Sequence, residues 1–123
     1  SSLQVIQLQL SELAASGSKL AIWGGTGKAA AFINQFNADK KRFPLVVDSD
    51  PEKVGTYVPS SGQKIMFRDE LKSNPVDIII IPTHWRAQDI QAEMEREKIK
   101  AKQIFIEHDG CLIDIKKEEH PYR

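Results

Sequence analysis

Asp77-Ile78-Ile79-Ile80-Ile81 is the segment that most restricts the fold. Side chains along a strand alternate between two faces, so four successive isoleucines leave neither face for water. Such a strand must be covered on both sides, as a central strand of a parallel sheet is when helices pack above and below it. The rest of the chain supplies those elements. Leu3, Ile6, Leu10 and Leu13 recur at three- and four-residue spacing and predict a helix that Ser16-Gly17 ends. Residues 19–23 form an apolar run stopped by glycines, which predicts a buried strand. Residues 29–36 predict a helix with Ala29, Ile33 and Phe36 inward.

Leu45-Val46-Val47, closed by Asp48, predicts the second strand, and residues 49–62, with Pro51, Gly55, Pro59 and Gly62, read as loop. Residues 64–67 predict a short third strand, 69–73 a helical turn or two, 86–98 a helix burying Ala87, Ile90 and Met94, and 103–106 a further strand. After the hairpin dipeptide Asp109-Gly110, residues 111–115 should return antiparallel at an edge. The charged residues 116–123 are expected to fray. Strands alternating with helices, joined by right-handed crossovers, predict a small doubly wound Rossmann-like parallel sheet of order 3-2-1-4-5 with an antiparallel edge strand. No repeat or internal boundary interrupts residues 1–123, which read as one domain.

Composition narrows the function. Lys plus Arg and Asp plus Glu are 17 each, a net charge of zero, so the basic excess that phosphate-backbone contacts require is missing and nucleic acid is not the expected partner. No apolar run reaches the ~20 residues of a membrane span. One cysteine, Cys111, excludes an internal disulfide and fits a cytoplasmic location, and no signal peptide is visible. The chain opens Ser1-Ser2 without an initiator Met, so we expect a domain excised from a larger protein.

Trp23-Gly24-Gly25-Thr26-Gly27-Lys28-Ala29-Ala30 lies between the first strand and its helix. Gly25-x-Gly27-x-x-Ala30 fits the dinucleotide fingerprint, in which glycines allow a tight turn and a helix N-terminus offers free N–H groups to a phosphate. Asp48, 21 residues after Gly27, stands near the spacing of a ribose-reading acid. A glycine turn required by the fold alone accounts for the same residues. An ATPase-type phosphate loop is excluded, because position 22 is Ile22 where that motif needs Gly, and Ala29 follows the lysine where it needs Ser or Thr.

Parallel sheets bind ligands beyond their carboxyl ends where strand order reverses, here between the first strand and the isoleucine strand. The latter ends in Pro82-Thr83-His84-Trp85-Arg86: a hydroxyl, a titratable ring, a stacking face and an anion clamp. The alternative is that Trp85 packs on the sheet and Arg86 faces water. Candidate ligand-binding residues are therefore Gly24, Gly25, Thr26, Gly27, Lys28, Asp48, Ser49, Thr83, His84 and Trp85, for a phosphorylated small molecule. No catalytic residue is assigned. Glu107 and His108 are adjacent and point to opposite faces unless the strand has ended. His84, His108, Asp109 and Cys111 show no recognised metal-ligand spacing, and Cys111 reads as a small buried hydrophobe.

With these residues in place the chain resembles the C-terminal Rossmann-like domain of the sugar C-methyltransferases. The resemblance covers roughly residues 3–107. It rests on the leading helix, the strand–glycine turn–helix unit at 21–36, the strand ending in Pro82, and above all Val46-Val47-Asp48-Ser49-Asp50-Pro51-Glu52-Lys53-Val54-Gly55-Thr56-Tyr57-Val58-Pro59. Ser60 stands where that family usually has Gly, and Pro82-Thr83-His84-Trp85 replaces a Pro-Trp-Asn type sequence. Small nucleotide-sugar-binding domains of acetyltransferases carry a related turn. The resemblance implies an N-terminal catalytic domain in the same polypeptide, with S-adenosylmethionine bound there and not here. This chain would then hold a nucleotide-sugar or related phosphorylated ligand without catalysing alone. An NAD(P)-binding oxidoreductase domain, or an assembly domain using an exposed edge strand, remain the alternatives.

Overall fold

A computed structural model describes residues 1–118 and 120. The elements in chain order are α1 (Ser2–Ala15), β1 (Leu20–Trp23), α2 (Lys28–Gln35), β2 (Val46–Asp48), β3 (Ile65–Phe67), α3 (Glu70–Ser73), β4 (Ile78–Ile81), α4 (Ala87–Glu97), β5 (Gln103–His108) and β6 (Cys111–Asp114), with a 3-10 turn at His84–Arg86. The strands form one sheet of order β3-β2-β1-β4-β5-β6. All pairs are parallel except β5 and β6. This is the Rossmann-like arrangement expected from the alternation of elements.

β4 shows why the isoleucine run matters. Ile79 and Ile81 join Trp23, Val47, Leu71, Ala87, Ile90 and Met94 on the α3–α4 side. Ile78 and Ile80 join Ile6, Leu10, Ile22, Ala30, Ile33 and Val46 on the α1–α2 side. All four isoleucines are buried, and burial of each contributes about 1.5–3 kcal/mol. α1 starts on a capping box, in which Ser1 Oγ accepts from the Gln4 N–H and the Gln4 side chain accepts from the Ser1 amine. α4 stops at Lys98, in the left-handed conformation.

Both sheet edges carry hydrogen-bond partners of their own, which bears on the alternative of assembly through an exposed edge strand. At the β3 edge, the Gly55 N–H donates to the Ile65 carbonyl and the Ile65 N–H to that of Thr56, each at 2.8 Å. An isolated bridge pairs Tyr57 with Lys64, so the predicted loop at 49–62 carries edge pairing of its own. At the other edge, the Gln9 side-chain amide takes the place of a neighbouring strand. Its Nε2 donates to the Leu112 carbonyl at 2.9 Å, and its Oε1 accepts the Leu112 N–H at 2.8 Å. The outward carbonyl of Asp114 accepts from the N–H groups of Lys117 and Glu118. Such pairing removes the free ladder that makes edges sticky.

Four further expectations are adjusted. Leu3, assigned to the buried stripe of α1, is 41% exposed, because the helix begins there. The helix expected over 86–98 begins as the 3-10 turn, and β5 extends two residues past Ile106. The fraying expected for 116–123 falls partly outside the described residues, at Glu119, Pro121, Tyr122 and Arg123. The described part turns back on the sheet: Lys116 Nζ donates to the Ala101 carbonyl, and His120 Nε2 lies 3.1 Å from the Ile115 carbonyl.

Candidate functional site

The β1–α2 loop is shaped by three different demands on its glycines. Gly24 prolongs β1, donating to the Val47 carbonyl at 2.7 Å, and holds φ at +114°. Gly25 is needed for internal packing: an added Cβ would stand 2.9 Å from Ile65 Cδ1 and from Val46 Cγ1. Gly27 caps α2 at φ +55° and ψ −123°, a backbone region closed to L side chains, yet nothing lies within 4 Å of where its Cβ would be. The space beside Gly27 is therefore open. No side chain caps α2, and among the described residues the amides of Gly25, Thr26, Gly27 and Lys28 find no acceptor, while the Thr26 carbonyl receives the Ala29 N–H. Free donors beside an open space at a helix N-terminus are what an anion requires.

Across the switch point, the turn after β4 comes to meet this loop. Lys28 Nζ lies 5.8 Å from the centroid of the Trp85 ring, within cation–π reach. Trp85 is 54% exposed and stands edge-on to His84, with ring centroids 5.0 Å apart. His84 Nδ1 is 3.9 Å from Glu107 Oε2, which ties the β4 rim to β5. The Thr83 carbonyl accepts from the Arg86 N–H at 2.9 Å and closes the turn. Loop and turn thus share one rim, as the crevice rule requires.

Asp48 and Ser49 are placed differently from what a ribose-reading role implies. Asp48 is only 4% exposed, and its Oδ1 accepts the Asp50 N–H at 2.9 Å, folding the start of the following loop. Ser49 Oγ accepts from Nε1 of the buried Trp23 at 3.1 Å. Both residues support the rim from within. A hydroxyl-bearing ligand is left with the second Asp48 oxygen. The Trp23–Ser49 pair escaped sequence reasoning, although a Trp directly before a glycine turn is the signal that could have found it.

Glu107 and His108 both lie inside β5 and so face opposite sides, Glu107 toward His84 and His108 with Nε2 3.3 Å from Asp109 Oδ2. Cys111 is half-buried, with Sγ 3.4 Å from the His108 carbonyl. Among the described residues no three His, Cys, Asp or Glu side chains gather to hold a metal ion. A hollow of about 850 Å³ floored by Met94, Ile99, Ala101 and Ile104 lies at the other end of α4, beside the amino end of β5. Ligands of parallel sheets bind at the opposite rim, so volume alone does not mark that hollow as the site.

Fold and rim together define a Rossmann-like domain whose glycine turn faces an exposed tryptophan. The domain model described as the C-methyltransferase C-terminal domain matches residues 3–107, and the chain belongs to that family. No curated protein matches the sequence significantly. Among solved structures, a UDP-D-quinovosamine 4-dehydrogenase from Vibrio fischeri aligns with 14% identity over 78% of this chain and 91% of that one, at a TM-score of 0.51, a likeness of fold. A Rex-family repressor, RSP, solved also with beta-NADH, aligns with 26% identity over 73% of this chain and 46% of its own, at a TM-score of 0.44. Among the described residues no helix is long and apolar enough to cross a membrane.

Proposed function

We propose that this chain is one domain of a longer, cytoplasmic C-methyltransferase. In this reading it grips a nucleotide-sugar or related phosphorylated substrate at the carboxyl rim, while methyl transfer from S-adenosylmethionine takes place on the domain that precedes it. The observation that carries the reading is the approach of Lys28 to Trp85 across the switch point. It sets a cation and four unaccepted amides against an exposed stacking face, the parts that a phosphate and a planar base need. The assigned contacts are Gly24 to Lys28 for phosphate, Trp85 with His84 for the base, and Thr83 with Ser49 for hydroxyls.

The residues present suit an NAD-type cofactor less well. Asp48, the expected ribose acid, is buried and already holds its own loop. An assembly role through a free edge strand loses its basis because both edges are occupied. Amide chemical-shift mapping tests the proposal, with a nucleoside-diphosphate sugar, the nucleoside diphosphate and inorganic phosphate titrated separately. The sugar nucleotide should move Gly24–Lys28 and Thr83–Trp85 and stabilise the fold by about 2.7 kcal/mol at 100 times its dissociation constant. Shifts confined to the opposite rim near Gly17 and Asn74, or turnover by this chain alone, would refute it.

A further inference from the structure

We infer that the hollow at the far end of α4 is a second binding site, one for a small amphiphilic anion: a carboxylate or phosphate monoester carried on an apolar body. Its volume of about 850 Å³ lies within the roughly 300–1,000 Å³ of small-molecule sites. The chain between α4 and β5 builds it by alternation. Ile99 and Ala101 are buried, while Lys98, Lys100 and Lys102 are exposed. The apolar side chains join Met94 of α4 and Ile104 of β5 in the floor. Lys98 and Lys100 also line the hollow, with stems that suit an apolar body and heads that stay in water. Lys116, just past β6, lines it too, and its Nζ donates to the Ala101 carbonyl.

Charge decides what such a hollow takes. The three lysines face one acid in its lining, Glu95, which is exposed. Among the described residues no carboxylate forms an ion pair with Lys98, Lys100 or Lys116, whereas Lys72 pairs with Asp69 and Glu97, Lys102 with Asp77 and Arg42 with Asp39. The wider rim has the same sign. The loops leading into β1, β2, β4 and β5 (residues 16–19, 36–45, 74–77 and 98–102) hold seven Lys and Arg against two Asp, although the chain as a whole is neutral. Anions are therefore drawn to this rim, and one with a hydrocarbon body also covers the apolar lining. A bare inorganic anion would leave that lining wet, and a neutral apolar molecule would leave the ammonium groups unpaired. The lining is concave and confined to the end of one helix, the strand beside it and residue 116, the shape of a small-molecule site. The inference needs neither a nucleotide-sugar nor a preceding domain, so it and the proposed function fail separately.

Methyl NMR of the methionine-labelled protein tests the site, because Met94 is in the floor and Met66, on β3, is the one other methionine. Decanoate and decyl phosphate, each kept below its micelle-forming concentration, should move the Met94 methyl saturably and leave Met66 in place. Binding of either supports the inference, and the tighter of the two identifies the head group. Decanol should bind at least tenfold more weakly. In the paired variant Lys98→Gln with Lys100→Gln, the tighter anion should lose at least tenfold in affinity and decanol none, while β4 amides exchange as slowly as before. If the pair disturbs the fold, Lys100→Gln alone should cost at least threefold. No saturable Met94 shift overturns the inference, and so do equal binding of decanol, unchanged affinity in the folded variant, or shifts shared by both methionines. An acidic peptide of alternating Glu and Leu that binds more tightly than either amphiphile assigns the hollow to a protein partner and overturns it as well.

Discussion

Ser60 holds φ at +66°, where a β-carbon crowds the neighbouring carbonyl at a cost of about 1–2 kcal/mol. Glycine in that place is free of that strain but gives up more chain entropy on folding. The first effect is larger, so Ser60→Gly should stabilise the domain by about 0.5–1 kcal/mol, read as a rise of a few degrees in melting temperature. Gly25 and Gly27 separate two reasons for glycine that look identical in a motif. Gly25→Ala should cost about 1–3 kcal/mol through overpacking, partly recovered when Ile65→Val shortens the neighbour. Gly27→Ala should cost a similar ~1–3 kcal/mol through backbone strain, and no neighbouring substitution should recover it. Denaturant titration of the single and paired variants decides. The sequence pattern located both glycines, but the packing of Gly25 depends on β2 and β3, at least 21 residues away, and no local spacing announces that.

Between elements, two polar devices do what the apolar cores cannot. Gln9→Ala would strip the Leu112 N–H and carbonyl of their partner, at about 1–3 kcal/mol. The expected signature is faster amide exchange at Leu112 and a stronger tendency to associate. On the other face, Arg68 at the end of β3 donates to Glu93 and Asp69 and pairs with Glu97, which Lys72 also reaches at 2.9 Å. The hydrogen bond from Lys72, with the nearby Arg68 charge, outweighs desolvation and holds the Glu97 carboxyl below its ordinary value. Asp39 is lowered too, chiefly by the Arg42 N–H. A carboxylate whose pKa is lower when folded lends stability that is fully present above its unfolded value and fades as pH falls through the folded one. The melting-temperature gap between wild type and Glu97→Gln should therefore be constant near neutrality and close below about pH 4. Neither device was legible beforehand. Charged residues at 93 and 97 are what any solvated helix face carries, and a sequence does not say which loop crosses that face.

At the scale of the molecule, the order of strands and the burial of β4 were legible because they follow from period and sign: apolar runs, glycine stops and right-handed crossovers. The placement of eight of the ten candidate residues was legible for the same reason. Gly24 to Lys28 and Thr83 to Trp85 lie at strand ends, and topology carries strand ends to one rim. Asp48 and Ser49 were less so. A short polar side chain after a strand can serve a ligand or its own loop, and only the path of residues 50 to 57 shows how far the loop has engaged it.

The Gln9–Leu112 pair joins residues 103 positions apart. Of this domain's elements α1 is the first to leave the ribosome, and β6, the strand it lies along, is the last. The amphipathic helix must wait, with Ile6 and Leu10 uncovered on that side, until the whole sheet has been made. The domain therefore closes only once β6 has emerged, and a ribosome stalled before Cys111 would display an adhesive helix that the finished domain hides.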